Sequence, residues 1–218
     1  PGQPCPLEET AVSDAPGAGP PDPAPEAGAA AGVGLVHVLL IGGDDENTAD
    51  MNTDSLIVAV LDGQQDRISL LSIPRDLWVE IPGHGWGRIN TAHRLGTRYG
   101  YPDGGGPGLL ARTIQENLGI PIDHWVRVNY AGFAAAIDVL DGVEVVVPCP
   151  VNLQYLPPTG EGETEMMLQP GIYHMDGETA LRYVRTRRNE SDFERTQRQQ
   201  QFLRAAWEQF KGPGFFRR

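Results

Sequence analysis

Six arginines, Arg182, Arg185, Arg187, Arg188, Arg195 and Arg198, crowd into one short stretch. It reads Arg182-Tyr-Val-Arg185-Thr-Arg187-Arg188 and then Asp192-Phe-Glu-Arg195-Thr-Gln-Arg198-Gln-Gln-Gln201. All 17 basic residues are arginine except Lys211, in a chain of net charge −12. Positive charge gathered this tightly in an acidic protein suits the binding of an anion. A planar guanidinium grips two phosphate oxygens at once, where an ammonium acts as a point charge. Arg182, Arg185 and Arg188 recur at helical spacing, and Arg195, Arg198 and Gln199 share one face of a following helix. Two facing rows of this kind would form a slot for a pyrophosphate. The alternative is that they are the solvated face of two helices, paired with Glu190, Asp192 and Glu194.

Two further clusters carry chemistry. Asp44 and Asp45 follow an apolar run, and Asp50 and Asp54 precede the next one. If the two runs are neighbouring strands, Asp44 and Asp54 meet at one end of a sheet. Two carboxylates with substrate phosphates and water suit Mg²⁺, or Mn²⁺ in its place. The alternative is an acidic surface turn in which Asp54 caps the next element. The other cluster is Ser72-Ile-Pro-Arg75-Asp76, at the exit of a strand, where α/β sheets place ligands. Pro74 stiffens that exit so that Arg75 points at a fixed place; the plain alternative is a local ion pair with Asp76. Arg88-Ile-Asn90 would add a second positive arm. There is no nucleophile elbow, no P-loop and no dinucleotide fingerprint, and Gly104–Gly108 lacks the Lys-Ser or Lys-Thr of a phosphate loop. The five histidines show no metal-binding spacing.

Alternating strands and helices must position these clusters. Leu35–Ile41 reads as a buried strand, and Ser55–Leu61 and Arg67–Ile73 as a hairpin about Asp62-Gly63. A short strand follows over Leu77–Ile81. Asn90 caps a helix over Thr91–Tyr99, and the Gly104–Gly108 loop leads into a helix over Leu109–Leu118. Then come a strand over Trp125–Asn129, a helix over Tyr130–Leu140 and a strand over Val143–Val147. Residues 150–170 read as a lid or long loop, Asp176 caps a helix, and Phe193–Phe210 forms the last one. The class is α/β: a single domain with a mixed central β-sheet flanked by helices on both faces. Trp125, Phe133, Ile137 and Leu140 fit ordinary core.

Residues 1–34 hold eight prolines, five acids and no base. Such a composition cannot bury enough apolar surface to offset ordering, so it reads as a disordered acidic linker. The globular part is 35–211, and 212–218 is a tail. Without the linker's five acids the net charge is −7, which argues against a nucleic-acid partner. No apolar run is long enough to span a bilayer. Cys5 and Cys149 would pair only in an oxidising compartment; two unpaired thiols are the alternative.

Eight motifs occur in one order: Leu39-Leu-Ile-Gly-Gly-Asp44, Thr53-Asp54-Ser55, Leu71-Ser-Ile-Pro-Arg-Asp76, Arg88-Ile-Asn90, Gly119-Ile-Pro-Ile-Asp-His124, Leu168-Gln-Pro-Gly171, Asp176-Gly-Glu-Thr-Ala-Leu-Arg-Tyr-Val-Arg-Thr-Arg187 and Asp192-Phe-Glu-Arg-Thr-Gln-Arg-Gln-Gln200. Together, from about residue 35 to 210, they resemble the LytR-CpsA-Psr family of cell-envelope proteins. The resemblance implies a mixed sheet wrapped by helices, with a tunnel for a polyprenyl chain, which Trp125, Phe133, Ile137 and Leu140 would line if they are not ordinary core. It also implies an Mg²⁺-dependent phosphotransferase on the outer face of the membrane, held by an anchor that this chain does not contain. Such an enzyme moves a glycopolymer from a polyprenyl-pyrophosphate carrier to peptidoglycan. By the same resemblance Asp44 and Asp54 match the metal-linked acids, and Arg75, Arg185 and Arg187 the pyrophosphate-binding arginines. Arg88, Arg195, Arg198 and Gln199 lie in matching motifs, and Asp44, Asp54 or Asp76 would take the acceptor's proton. The alternatives are a non-catalytic binder of polyprenyl phosphates and a pyrophosphatase acting on the same lipids. The chain departs from the family where arginines commonly flank the two acids: Asp45-Glu46 and Met51-Asn52 stand there instead.

Overall fold

The computed structural model describes residues 34–43, 53–155, 164–186 and 192–211. Two compact units make up the chain, one over residues 30–136 and the other from residue 137 onward. Residues 1–33 of the linker, Asp44, Asp45, Asp50, Arg187, Arg188 and the 212–218 tail lie outside the described residues.

The first unit is built on a mixed four-stranded sheet of order β3-β2-β1-β6. Its strands are β1 (Leu35–Gly42), β2 (Ser55–Asp62), β3 (Arg67–Ser72) and β6 (His124–Val128). β1, β2 and β3 pair antiparallel, and β6 runs parallel to β1. The expected hairpin about Asp62-Gly63 is present. Asp62 Oδ1 accepts the backbone N–H groups of Gln64 and Gln65 at 2.9 and 3.1 Å, which turns the chain back. β4 (Trp78–Ile81) and β5 (Gly85–Arg88) form a separate two-stranded ribbon, followed by α1 (Asn90–Arg98) and α2 (Gly105–Leu118). Leu39, Ile41, Leu56, Val58, Val79, Ile81, Ile89, Leu109, Leu110 and Ile114 form the core between sheet, ribbon and helices.

Two local expectations are corrected here. Asn90 does not cap α1. Ile89 holds that position without a side-chain bond, and the Asn90 backbone N–H donates to the Arg75 carbonyl at 3.2 Å. The tie to Arg75 outweighs local capping. The glycine-rich segment is not a loop that precedes α2 but its first turn, entered through Gly104 at φ 92°, a conformation that glycine adopts without strain.

α3 (Tyr130–Val139) ends the first unit and runs three residues into the second, which then holds β7 (Val143–Val147), β8 (Val151–Tyr155), β9 (Thr164–Leu168), β10 (Gly171–Met175), α4 (Gly177–Arg185) and α5 (Asp192–Lys211). β7 pairs with β10, and β8 with β9, both antiparallel. The reading of 150–170 as a lid or long loop is corrected at both ends, where Val151–Tyr155 and Thr164–Leu168 form an antiparallel strand pair; residues 156–163 lie outside the described residues. Val151, Leu153 and Leu168 are buried, too few among polar and proline neighbours to show as a strand pattern. Val143, Val145 and Val147 alternate inward, and Tyr183 and Phe202 are each 1 % exposed. Of the four residues read as core around α3, Ile137 is 5 % exposed and fits, whereas Trp125 is 45 % exposed and does not. Cys149 is disulfide-bonded, and the other cysteine of the chain, Cys5, lies outside the described residues. Among the described residues no helix is long and apolar enough to cross a membrane.

Candidate functional site

Sheet register brings the first cluster together. β2 and β3 pair with Ile57 opposite Ser72, and the same register carried past the strand ends sets Asp54 opposite Arg75. The side chains meet there: Arg75 Nη1 donates to Asp54 Oδ1 at 2.8 Å. Three backbone bonds hold this edge in place. The Asp54 N–H donates to the Gly42 carbonyl at 2.8 Å, the Ile73 N–H to Leu56 at 2.8 Å and the Gly43 N–H to Val128 at 3.3 Å. The edge therefore gathers the carboxyl ends of the parallel pair β1 and β6, the side on which open α/β sheets bind ligands.

From Arg75 the charges continue in alternation. Arg75 Nε lies 3.5 Å from Asp76 Oδ2, and Arg88 Nη1 lies 3.2 Å from Asp76 Oδ1. The result is a chain of four groups, Asp54–Arg75–Asp76–Arg88, from 28 % exposed at Arg75 to 58 % at Asp76. Pro74 starts the turn that sets it, with the Leu77 N–H on the Pro74 carbonyl at 3.0 Å. A guanidinium has five N–H donors, so Arg75 bridges two carboxylates and keeps donors for an incoming phosphate. The surface-turn reading of Asp54 gives way to this arrangement, and Arg75 does more than pair with its neighbour Asp76.

Two polar residues at this edge were not singled out as site residues by type or spacing. Thr53 is fully buried, its Oγ1 without a hydrogen-bond partner, and Asn90 is 8 % exposed with Oδ1 likewise unpartnered. The available signal was their place inside the Thr53-Asp54-Ser55 and Arg88-Ile-Asn90 motifs. The residues present suit a hard cation. Asp54 offers carboxylate oxygen open to solvent, and the orphaned Thr53 hydroxyl is next to it; oxygen donors with room for water are what Mg²⁺ takes. Among the described residues no three His, Cys, Asp or Glu side chains form a metal cluster, and Asp44 lies outside them.

The second unit holds the C-terminal arginines. Asp176 caps α4, its Oδ1 accepting the Thr179 N–H at 2.8 Å. At the other end of α4 the chain is clamped by α5. Arg198 Nη2 donates to the Thr186 carbonyl at 2.6 Å and lies 5.5 Å from the Tyr183 ring centroid. Gln199 Nε2 donates to the Val184 carbonyl at 3.1 Å. Arg198 is 4 % exposed and Arg195 6 %, and Arg195 pairs with Asp192 at 2.7 Å. Arg182 pairs with Glu178. Arg185, the last residue of α4, is exposed. The solvated-face reading therefore fails for Arg195 and Arg198. Arg198 and Gln199 bond carbonyls at the end of α4, where free carbonyls need donors.

The cap makes a direct prediction. The Thr179 backbone N–H, then its side chain, hold the Asp176 carboxyl below its ordinary value of 3.8. Asp176→Ala is expected to cost about 1 kcal/mol at neutral pH. Because the folded value is lowered, the wild-type advantage is full above the unfolded value and fades as pH falls through the folded one. Thermal unfolding of both proteins at neutral and strongly acid pH checks this: the gap should close in acid.

The LytR_cpsA_psr family model matches residues 24–215, and the chain belongs to that family. The polyisoprenyl-teichoic acid–peptidoglycan teichoic acid transferase TagT of Bacillus subtilis strain 168 is 35 % identical over 173 residues, covering 77 % of this chain and 50 % of TagT. The chain thus spans about half the length of the curated relatives it matches. The crystal structure of B. subtilis TagV aligns with a TM-score of 0.67 at 30 % identity, over 83 % of this chain and 66 % of TagV. YwtF (TagT) with bound octaprenyl pyrophosphate lipid aligns with a TM-score of 0.60 at 31 % identity, over 81 % of this chain and 65 % of that one.

Proposed function

We propose that this protein transfers a phosphate-linked glycopolymer from a polyprenyl-pyrophosphate carrier to peptidoglycan at the outer face of the membrane. The observation that carries this reading is the Asp54–Arg75–Asp76–Arg88 chain at the ligand-binding edge of the sheet. It stands in a family member similar to a named teichoic acid transferase and to a structure holding a polyprenyl pyrophosphate. The disulfide at Cys149 supports an oxidising, extracytoplasmic setting. Exposed Trp125 and Val126 on β6 offer apolar surface to a lipid chain.

In the reaction a sugar hydroxyl of the acceptor attacks the phosphorus that bears the glycopolymer. The new oxygen–phosphorus bond forms as the bond to polyprenyl phosphate breaks. The hydroxyl proton passes to Asp54 or Asp76, and the leaving group departs with its negative charge. Arg75, held between two carboxylates, directs its remaining donors at the phosphate oxygens without having to reorganise. Arg88 supports it through Asp76. Asp54, with Asp44, would hold Mg²⁺, which when bound supplies further positive charge against the pyrophosphate. Arg185, Arg187, Arg195, Arg198 and Gln199 enter as pyrophosphate-binding residues on the family resemblance; the exposed Arg185 suits direct contact, and the buried Arg198 suits holding the end of α4.

Purified protein supplied with a lipid-linked teichoic acid precursor, peptidoglycan and Mg²⁺ is expected to form a phosphodiester-linked product. A chelator should stop turnover, and Asp54→Ala should weaken Mg²⁺ binding measured by calorimetry with the metal alone. Release of phosphoglycan without acceptor would make the protein a pyrophosphatase, and lipid binding without any turnover would make it a binder.

A further inference from the structure

We propose that the outer face of the β4–β5 ribbon is a saccharide-docking platform that seats the neutral sugar backbone of the acceptor glycan. This deepens the transfer reading above and rests on it for the identity of the acceptor. β4 and β5 pair with Trp78 opposite Arg88 and Glu80 opposite Trp86. Period-two alternation sends Val79 and Ile81 inward, at 4 % and 1 % exposed, and sends the other face out. On that outer face Trp78 is 63 % exposed and Trp86 64 %. The ribbon already buries its inner face, so nothing in its folding requires two indoles in water. They stand on the ladder diagonal, roughly 7–8 Å apart at the backbone. Paired exposed aromatics of this kind mark a binding surface.

Their neighbours identify the occupant. Each indole has a charged residue directly across the ladder: Arg88 across from Trp78 and Glu80 across from Trp86. A sugar ring presents a C–H face that stacks on an indole and a rim of hydroxyls that bond to charged side chains at its edge. The Arg88 charge is countered by Asp76 at 3.2 Å, so Glu80 leaves the face slightly negative. A polyphosphate chain is repelled by such a face, and an uncharged sugar backbone is accepted. That points to the acceptor rather than to the phosphate-rich donor polymer.

The platform is also continuous with the reacting cluster. Asp76, two residues before Trp78, belongs to the ion-pair chain from Asp54 to Arg88. At the other end of the ribbon, the turn through Pro82 and His84 and the segment from Tyr99 to Pro102 enclose an open notch of about 380 Å³. There the His84 and Tyr99 rings lie 5.3 Å apart, and Tyr99 is 66 % exposed. β4, from Trp78 to Ile81, is extended over its four residues, roughly 13 Å of strand, a track longer than one sugar ring. A glycan lying along Trp78, Trp86 and the notch would bring a hydroxyl to the arginine and aspartate end.

Calorimetric titration of the purified protein with chitohexaose, a neutral N-acetylglucosamine oligomer, tests this. Wild type should bind it, with a change in tryptophan fluorescence. Trp78→Ala/Trp86→Ala should lose about tenfold or more in sugar affinity, and Trp78→Phe/Trp86→Phe should keep part of it. Both side chains are exposed, so circular dichroism should be unchanged. Octaprenyl pyrophosphate affinity, titrated separately, should be equal in all three proteins. Equal sugar affinity in the double alanine variant, no sugar binding by wild type, or a loss of lipid rather than sugar affinity would each overturn the platform. Sugar binding that depends on the two indoles, in a protein that binds no lipid pyrophosphate, would support the platform and overturn the transfer reading instead.

Discussion

Arg75→Ala is expected to lower transfer by about 10²–10³-fold in a protein that still folds. Among the described residues Arg75 is the one side chain that touches both carboxylates of the cluster, Asp54 at 2.8 Å and Asp76 at 3.5 Å. Its removal deletes the donors aimed at the phosphate and frees both acids to repel it. The cost to stability is small, because partly exposed ion pairs contribute about 1 kcal/mol or less. The unfolding temperature should therefore fall by only a few degrees. Arg75→Lys separates charge from geometry. An ammonium cannot bridge two carboxylates and keep a planar fork for phosphate, so lysine should rescue little of the rate. The measurement is steady-state transfer with saturating lipid donor, beside a thermal melt of each variant. A near-normal rate in Arg75→Ala would remove Arg75 from the reaction and leave it as a strand-end ion pair.

The second large effect is on the fold beneath the site. α1 and α2 approach so closely that their contact is made by glycine. A Cβ added at Gly96 would stand 2.6 Å from the Gly105 carbonyl oxygen and 2.8 Å from Leu109 Cβ, and one at Gly106 would meet Thr97 Oγ1 and the His93 carbonyl. Both obstacles include backbone, which cannot swing aside. Gly106→Val should therefore force the helices apart over Ala92, Leu109 and Leu110, all fully buried. Overpacking of this kind costs about 3 kcal/mol or more, or roughly 10 °C in Tm for a chain of this size. The effect should reach the site, because α1 begins at Asn90, whose N–H holds the Arg75 carbonyl at 3.2 Å. Differential scanning calorimetry and transfer at low temperature separate the two consequences. An unchanged Tm would mean that the helices can spread at no cost.

Much of this could be read from residue order. The apolar runs Ser55–Leu61 and Arg67–Ile73 about Asp62-Gly63 imply a hairpin, and a hairpin's register leaves Asp54 and Arg75 facing each other. Two apolar runs, one turn signal and a proline at the exit were enough for the hairpin, because a strand pair is a local structure with few registers. The family resemblance rested on ordered motifs of the same local kind. The β8–β9 pair was hidden because its inward residues, Val151, Leu153 and Leu168, are few and stand among polar neighbours. β5 was hidden because it is only four residues long, two of them glycine.

The arginines mark the boundary most clearly. Their number, their spacing and their preference over lysine belong to the sequence, and so does the expectation that they suit an anion. Which way each one points does not. A guanidinium on a long flexible stem can reach solvent, a ligand or a carbonyl from the same helical position. Only packing between α4 and α5 buried Arg198 against Thr186 and left Arg185 exposed. In the same way, alternation alone allowed either face of the β4–β5 ribbon to be the inner one. The tertiary core took Val79 and Ile81, and that choice placed Trp78 and Trp86 in water beside the Asp76–Arg88 ion pair. Local chemistry was set by residue type and spacing, whereas side-chain direction waited on the free energy of burial, which is summed over residues distant in sequence.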